Sequence, residues 1–286
     1  MNPGPRAMTA LIFAGHDLAP LISAACSAAL PWLPQSAPDV LLAVPHRLLP
    51  RSSATHVAEV ASQALRASNH PLTLLTPSSL RSLAWASRGT DSSPWTSLPL
   101  THLSETLPHA ILPTRLASAT SIVLLVDARQ AEGPRPTLAL GAWREFLHPK
   151  QRLPLALAAR RLLVDAEIAA LIQPRAIMLI HAWHPGFLVH VSPDRIASEL
   201  MGLAIHQATR CPATLSTGPW EDPFVQRATE LDLGIRLPTD LIIEWRWLGP
   251  STHNDQDRLA RLAEVVASRL GVPPAHSRIA GGQGQE

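Results

Sequence analysis

SIVLLVDA, residues 121–128, holds five consecutive strongly apolar side chains, 122–126, before Asp127. A strand with that reading has no polar face to offer water, so both of its faces must be covered. Strands covered on both faces belong to parallel sheets, whose crossover connections lay helices on either side. Working outward, the same short apolar reading recurs upstream in MTALIFAG (8–15), DVLLAVP (39–45) and PLTLLT (71–76). Downstream it recurs in RAIMLIHAW (175–183), FLVHV (187–191) and DLIIEWRW (240–247).

Helical patterns separate these runs. Residues 18–30 form the first, with Asp17 placed to cap it and Pro31 to stop it. Ser52 or Ser53 opens the second, whose stripe is Val57, Val60, Ala61 and Leu65. A helix is expected near 137–147, and another over 153–173, where Val164, Ile168, Leu171 and Ile172 recur before Pro174. Ser192-Pro193-Asp194 opens a helix over 193–208, with Pro193 at its first position. A shorter helix covers 224–231. The last, 256–270, sets Leu259, Leu262, Val266 and Leu270 on one side and stops at Gly271 and Pro273. The alternation predicts an α/β protein with a mostly parallel central sheet flanked by helices, in Rossmann-like layers. One domain is expected over 8–272, with 77–107 an irregular excursion and with 1–7 and 273–286 as disordered tails.

Composition narrows the chemistry. Charged residues are 16%, against a usual ~25%, so surface polarity rests on Ser, Thr, His and Gln. Of 24 Lys and Arg residues, Lys150 is the single lysine, and tyrosine is absent. Lysine Schiff-base chemistry is thereby confined to one position, and tyrosine acids are excluded. Lys+Arg (24) and Asp+Glu (22) nearly cancel with no dense basic stripe, so no nucleic-acid partner is expected. Cys26 and Cys211 allow at most one bridge and cannot hold a cluster. No run of 18 strongly apolar residues occurs, so no membrane span is expected. Arg6 followed by 8–15 and by LISAACSAAL resembles a secretion signal, but His16 and Asp17 interrupt its apolar region. The expectation is a soluble, cytoplasmic protein that begins with a strand and a helix.

The segment order resembles the uncharacterised family labelled "domain of unknown function 362". DVLLAVPHRLL (39–49) stands where that family reads roughly V-L-I-K-P-N, and SSATHVAEVASQAL follows as in the family. SIVLLVDARQ and PTLALGAWREF (136–146) occupy the places of its Lys-Thr-His and T-L-x-L-K-N elements. QPRAIMLI (173–180), SPDRIASELMGLA (192–204) and LDLGIRLPTDLIIE (231–244) complete the likeness, which spans about residues 8–250. It implies an α/β fold and a redox setting, since relatives often carry ferredoxin-like iron–sulfur modules. The departures run one way. The family's K-P-N lysine and asparagine fall at Val44 and His46, its K-N pair at Gly141 and Ala142, and its Lys-Thr-His element at 127–132 without lysine or histidine. The likeness thus implies a diverged member without its own iron–sulfur cluster, binding a partner or a small anionic ligand. No cofactor is expected. A rival expectation is a small-molecule enzyme of redox type with a rebuilt site, and a third is a subunit of a redox complex served by a separate ferredoxin.

Candidate residues follow from strand ends, where open α/β sheets bind ligands. His46, Arg47, Arg51, Ser53 and His56 follow the second strand and suit an anion at a helix start. Asp127 and Arg129 leave the central strand, and His46, Asp127 and Arg129 are the residues a rebuilt catalytic site would use. His181 and His184 are spaced for a metal but lack a third ligand, so no metal is expected. Asp194 reads first as a helix cap. Trp245 and Trp247 share one strand face, suited to packing or an interface.

Overall fold

The structure is a computed structural model. It describes residues 8–34, 39–45, 51–67, 71–76, 79, 94–100, 108–129, 138–157, 161–210 and 218–280, apart from the side chains of 51–54, 153, 156, 157, 161 and 162. Each long apolar run becomes a strand: β1 (Met8–Gly15), β2 (Val40–Ala43), β3 (Leu72–Leu75), β6 (Ile122–Asp127), β7 (Ala176–Trp183), β8 (Gly186–Ser192) and β9 (Leu241–Trp247). With β10 (Ser277–Ile279) they build one eight-stranded sheet in the order β10-β9-β1-β8-β7-β6-β2-β3. β8 pairs antiparallel with both β1 and β7, and the other pairings in this sheet are parallel. The mostly parallel α/β layering read from the sequence is the fold observed.

The alternation of a strand's side chains between faces divides the interior in two. Ala10, Ile12 and Ala14 of β1 join one core, and Phe13 joins the other. On the Phe13 side lie α1 (Leu18–Ala29) and α2 (Arg51–Arg66), through Leu21, Ile22, Ala25, Val57, Ala61 and Leu65. On the Ile12 side lie α3 (Thr114–Ser118), α4 (Pro149–Leu157), α5 (Arg161–Ala170), α6 (Arg195–Arg210), α7 (Pro223–Glu230) and α8 (His253–Leu270). Free Cys26 is buried against α2, its Sγ donating weakly to the Ala61 carbonyl at 3.9 Å, and burial pushes its thiol up to about 12. Cys211 lies outside the described residues. Among the described residues, no helix is long and apolar enough to cross a membrane.

Several expectations are corrected. The stretch 273–286 is not wholly a disordered tail: 277–279 forms β10, which pairs in parallel with β9. The excursion at 77–107 carries β4 (Trp95–Pro99), which pairs antiparallel with β5 (His109–Pro113) as a separate ribbon. The helix near 137–147 is a 3-10 turn over Gly141–Phe146, with every residue of the turn buried. Side chains buried all round follow no amphipathic period, so the turn type is set by the packing of Trp143 and Phe146 in the core. Residues 158–160, within the expected 153–173 helix, lie outside the described residues. Asp17 stands at the N-cap of α1 without a side-chain cap hydrogen bond. At α6 the cap is Asp194, so the helix starts later than 193: Asp194 Oδ1 accepts the Ala197 N–H at 2.7 Å and Oδ2 accepts the Ile235 N–H at 3.0 Å. A Cβ at Gly234 would stand 2.3 Å from Asp194 Oδ1, so only glycine lets the 234–235 backbone reach this carboxylate.

Candidate functional site

In an open α/β sheet, ligands bind beyond the carboxyl ends of the strands, where neighbouring strands send their connections to opposite faces. Among the described residues two such crevices are seen. β2 leads to α2 on one face, while its neighbour β6 leads to the 141–146 turn on the other. β1 leads to α1, while its neighbour β9 leads to α8 on the opposite face.

The β2–β6 crevice is where the sequence placed its candidates. His46 and Arg47 lie outside the described residues, as do the side chains of Arg51 and Ser53, and His56 is exposed on α2. Asp127 and Arg129 are satisfied by each other. Arg129 Nε donates to both Asp127 oxygens at 3.0 and 2.9 Å, a guanidinium NH2 donates at 2.6 Å, and the Arg129 N–H caps Oδ1 at 3.0 Å. The Arg129 guanidinium also lies 5.8 Å from the centre of the Phe187 ring, and its carbonyl accepts from Arg210. A carboxylate holding its own chain's guanidinium in a two-pronged pair is poorly placed to take a proton from substrate.

The β1–β9 crevice is built differently. Its mouth is formed by close backbone contact: a Cβ at Gly186 would stand 2.1 Å from the Gly15 carbonyl oxygen, and one at Gly15 would stand 2.7 Å from that of Leu248. This contact sets His16 on the rim, where its ring meets Trp247 edge-on with centroids 5.2 Å apart. His16 Nε2 lies 3.5 Å from Asp255 Oδ2. Asp255 is held by Thr252 in a capping box at the start of α8. The Thr252 hydroxyl and N–H donate to Oδ2 at 2.8 and 2.9 Å, and the Asp255 N–H donates back to Thr252 Oγ1 at 3.2 Å. These bonds from Thr252, with the neighbouring His16, hold the Asp255 carboxyl below its ordinary range.

Trp247 also packs against Trp183, their rings 6.1 Å apart at 70°. Trp183 and His184, Ala208 of α6, and Arg258, Arg261, Leu262 and Val265 of α8 line a groove of about 320 Å³. That volume lies at the lower end of the range for small-molecule pockets, roughly 300–1,000 Å³. Arg258 is half-buried and Arg261 exposed. Neither has a carboxylate within ion-pair distance among the described residues; Asp255 is engaged as above, and Asp257 faces His253 at 3.6 Å.

Beside the groove the sheet is polar. His181 and His190 share the face that carries Leu179 and Leu188, and their rings stack with centroids 6.3 Å apart. His190 is fully buried, and neither of its ring nitrogens has a hydrogen-bond partner. Burial pushes its imidazole down to about 3. Burial and the neighbouring His190, His206 and Arg210 also hold His181 well below the ordinary range. His181 is thus a core residue while His184 is exposed on the turn, and among the described residues no group of three or more His, Cys, Asp or Glu is arranged to hold a metal.

His16, Trp183, Asp255, Arg258 and Arg261 were missed as a set from sequence. One signal was present: His16-Asp17 breaks the apolar run just past the first strand, the position where a ligand-facing residue belongs. The arginines carry no such signal, because two charges on the outer face of an amphipathic helix read as solvated surface. Compared with known proteins, the chain matches no family model, no curated protein and no solved structure.

Proposed function

We propose that this chain binds a small anionic ligand at the carboxyl edge of its sheet, in the groove between the β7–β8 turn and α8. In this reading it is a diverged member of the family whose segment order it resembles, one that has exchanged lysine-bearing strand ends for a pair of helix-borne arginines. The observation that carries the reading is Arg258 and Arg261, three residues apart on one helix beside an apolar groove, without an ion-pair partner among the described residues. Like charges at that spacing disfavour each other by a few tenths of a kcal/mol. An anion bridging them relieves the repulsion and gains charge-assisted hydrogen bonds.

A second reading, an enzyme with a rebuilt site, is favoured by His16 and Asp255 on the rim of the same crevice. A carboxylate locked by Thr252 orients the imidazole through Nε2 and leaves Nδ1 to exchange a proton with a ligand.

Thermal melts in rising phosphate, sulfate and small carboxylates test the binding. A ligand at a hundredfold excess over its Kd stabilises by about 2.7 kcal/mol. The melting temperature should climb with anion concentration in the parent protein and stay flat in Arg258→Gln/Arg261→Gln. Equal stabilisation of that double variant would refute the site. Mass spectrometry of the same incubations with phosphate and carboxylate esters separates the readings: unchanged ligand supports binding alone, and product lost in His16→Ala supports the enzyme.

A further inference from the structure

Resting on the anion site just proposed, we propose that its ligand is a flat aromatic ring bearing one terminal phosphate or carboxylate. The groove has two unlike walls. One is Trp183, braced by Trp247 packed against it at 70°, so its indole holds one orientation. The other comes from α8, where Leu262 is buried and Val265 is 43% exposed. An indole and aliphatic side chains lining one shallow groove suit a flat ring, which stacks on the indole and covers the apolar side chains.

The arginines stand along the same helix face. Arg258 and Leu262 are four residues apart, as are Arg261 and Val265, so each guanidinium neighbours one apolar wall residue. In this proposal the ring lies against Trp183 and Leu262 and its charged end reaches the two cations. A guanidinium grips phosphate or carboxylate through paired N–H donors, and two of them on successive turns suit one multi-oxygen head group. A ringless anion would satisfy the arginines but leave Trp183 and Val265 in water. An uncharged ring would cover the apolar walls but leave the like charges facing each other. The aromatic anion meets both requirements.

Two chemical sources share this description, a nucleoside monophosphate and a simple aromatic carboxylate. Calorimetric titration with adenosine monophosphate, 4-hydroxybenzoate, inorganic phosphate and acetate separates them. One ring-bearing anion should bind at least tenfold more tightly than its ringless counterpart, in line with what one stacked ring contributes. The preferred arm names the source. Trp183→Leu should erase that advantage, and Trp183→Phe should keep most of it. Ringless and ring-bearing anions binding equally, or a Trp183→Leu variant without effect on the difference, would overturn the aromatic assignment and leave the anion site standing. Binding of every anion unchanged in Arg258→Gln/Arg261→Gln would overturn both.

Discussion

Two glycines at the crevice mouth do what no other residue type can. β1 and the β7–β8 turn approach so closely that Gly186 has no room for a Cβ, the obstacle being the Gly15 backbone and not a movable side chain. Gly186→Ala should lower stability by about 1–3 kcal/mol, the usual cost of overpacking, and should weaken anion binding by shifting the Trp183–His184 turn that lines the groove. Gly218→Ala is the control: nothing lies within 4 Å of its Cβ position and its φ is −67°, so melting should be nearly unchanged. At this scale the sequence was legible where chemistry is local. Asp194 read as a cap and is one, held to Ala197 and Ile235 by hydrogen bonds. Asp127 and Arg129 read as candidates at a strand end and do stand there, but two residues of one chain bend into contact and spend their charges on each other.

Among elements, legibility followed burial. The strands with near-continuous apolar sequences, β2, β6 and β7, occupy the covered middle of the sheet, and burial on both faces is what their sequences record. The buried stripe of α8 is legible in its sequence, but the helix starts at His253 and not at 256, because Thr252 and Asp255 form a capping box there; Gly271 closes its other end. The elements that went unread are short and partly exposed. β4 is WTSLP, with no residue fully buried, and β10 is SRI, three residues at the sheet's edge. Such segments become strands through backbone pairing with a neighbour, which leaves little mark on side-chain pattern. β10 covers the edge of β9, and the Ala280 N–H donates to the Trp245 carbonyl at 2.9 Å. A chain ending at His276 should lose about 2 kcal/mol, given backbone hydrogen bonds worth about 0.5–1.5 kcal/mol each. It should also aggregate on heating, because the edge of β9 is then open to pairing with other chains. Thermal melts with light scattering check both; melting and scattering like those of the full chain would show that β10 contributes nothing to the sheet.

Over the whole molecule, buried titratable groups set opposing demands on pH. His190 is pushed down to about 3 and His181 well below the ordinary 6.5, so below about pH 6.5 the unfolded chain takes up protons that the fold refuses. Stability therefore falls as pH drops from 6.5, by about 1.4 kcal/mol per pH unit for each excess proton. Glu199 works the other way. Burial, offset in part by the Leu140 N–H, raises it from an ordinary 4.5 to about 8, so the fold keeps its proton across that window and loses stability as pH rises towards 8. Between 4.5 and 6.5 these two imidazoles outweigh the Glu199 carboxyl, and above 6.5 the carboxyl's effect dominates. Stability should peak near pH 6.5, with the alkaline fall flattened in Glu199→Gln and the acid fall reduced in His190→Leu; denaturant midpoints across pH 4–9 check this, and a flat profile would refute it. The chain's own order of residues determined the alternation of strands and helices, the layered α/β class and most helix ends, because period, proline and capping act within a few residues. Only the tertiary structure decided the strand order, and with it that β1 and β9 stand side by side although they come from opposite ends of the chain. That adjacency assembles His16, Trp183 and the α8 arginines at one crevice. Local periodicity says which face of a strand is buried but not which strand lies next to it, so the site was beyond its reach.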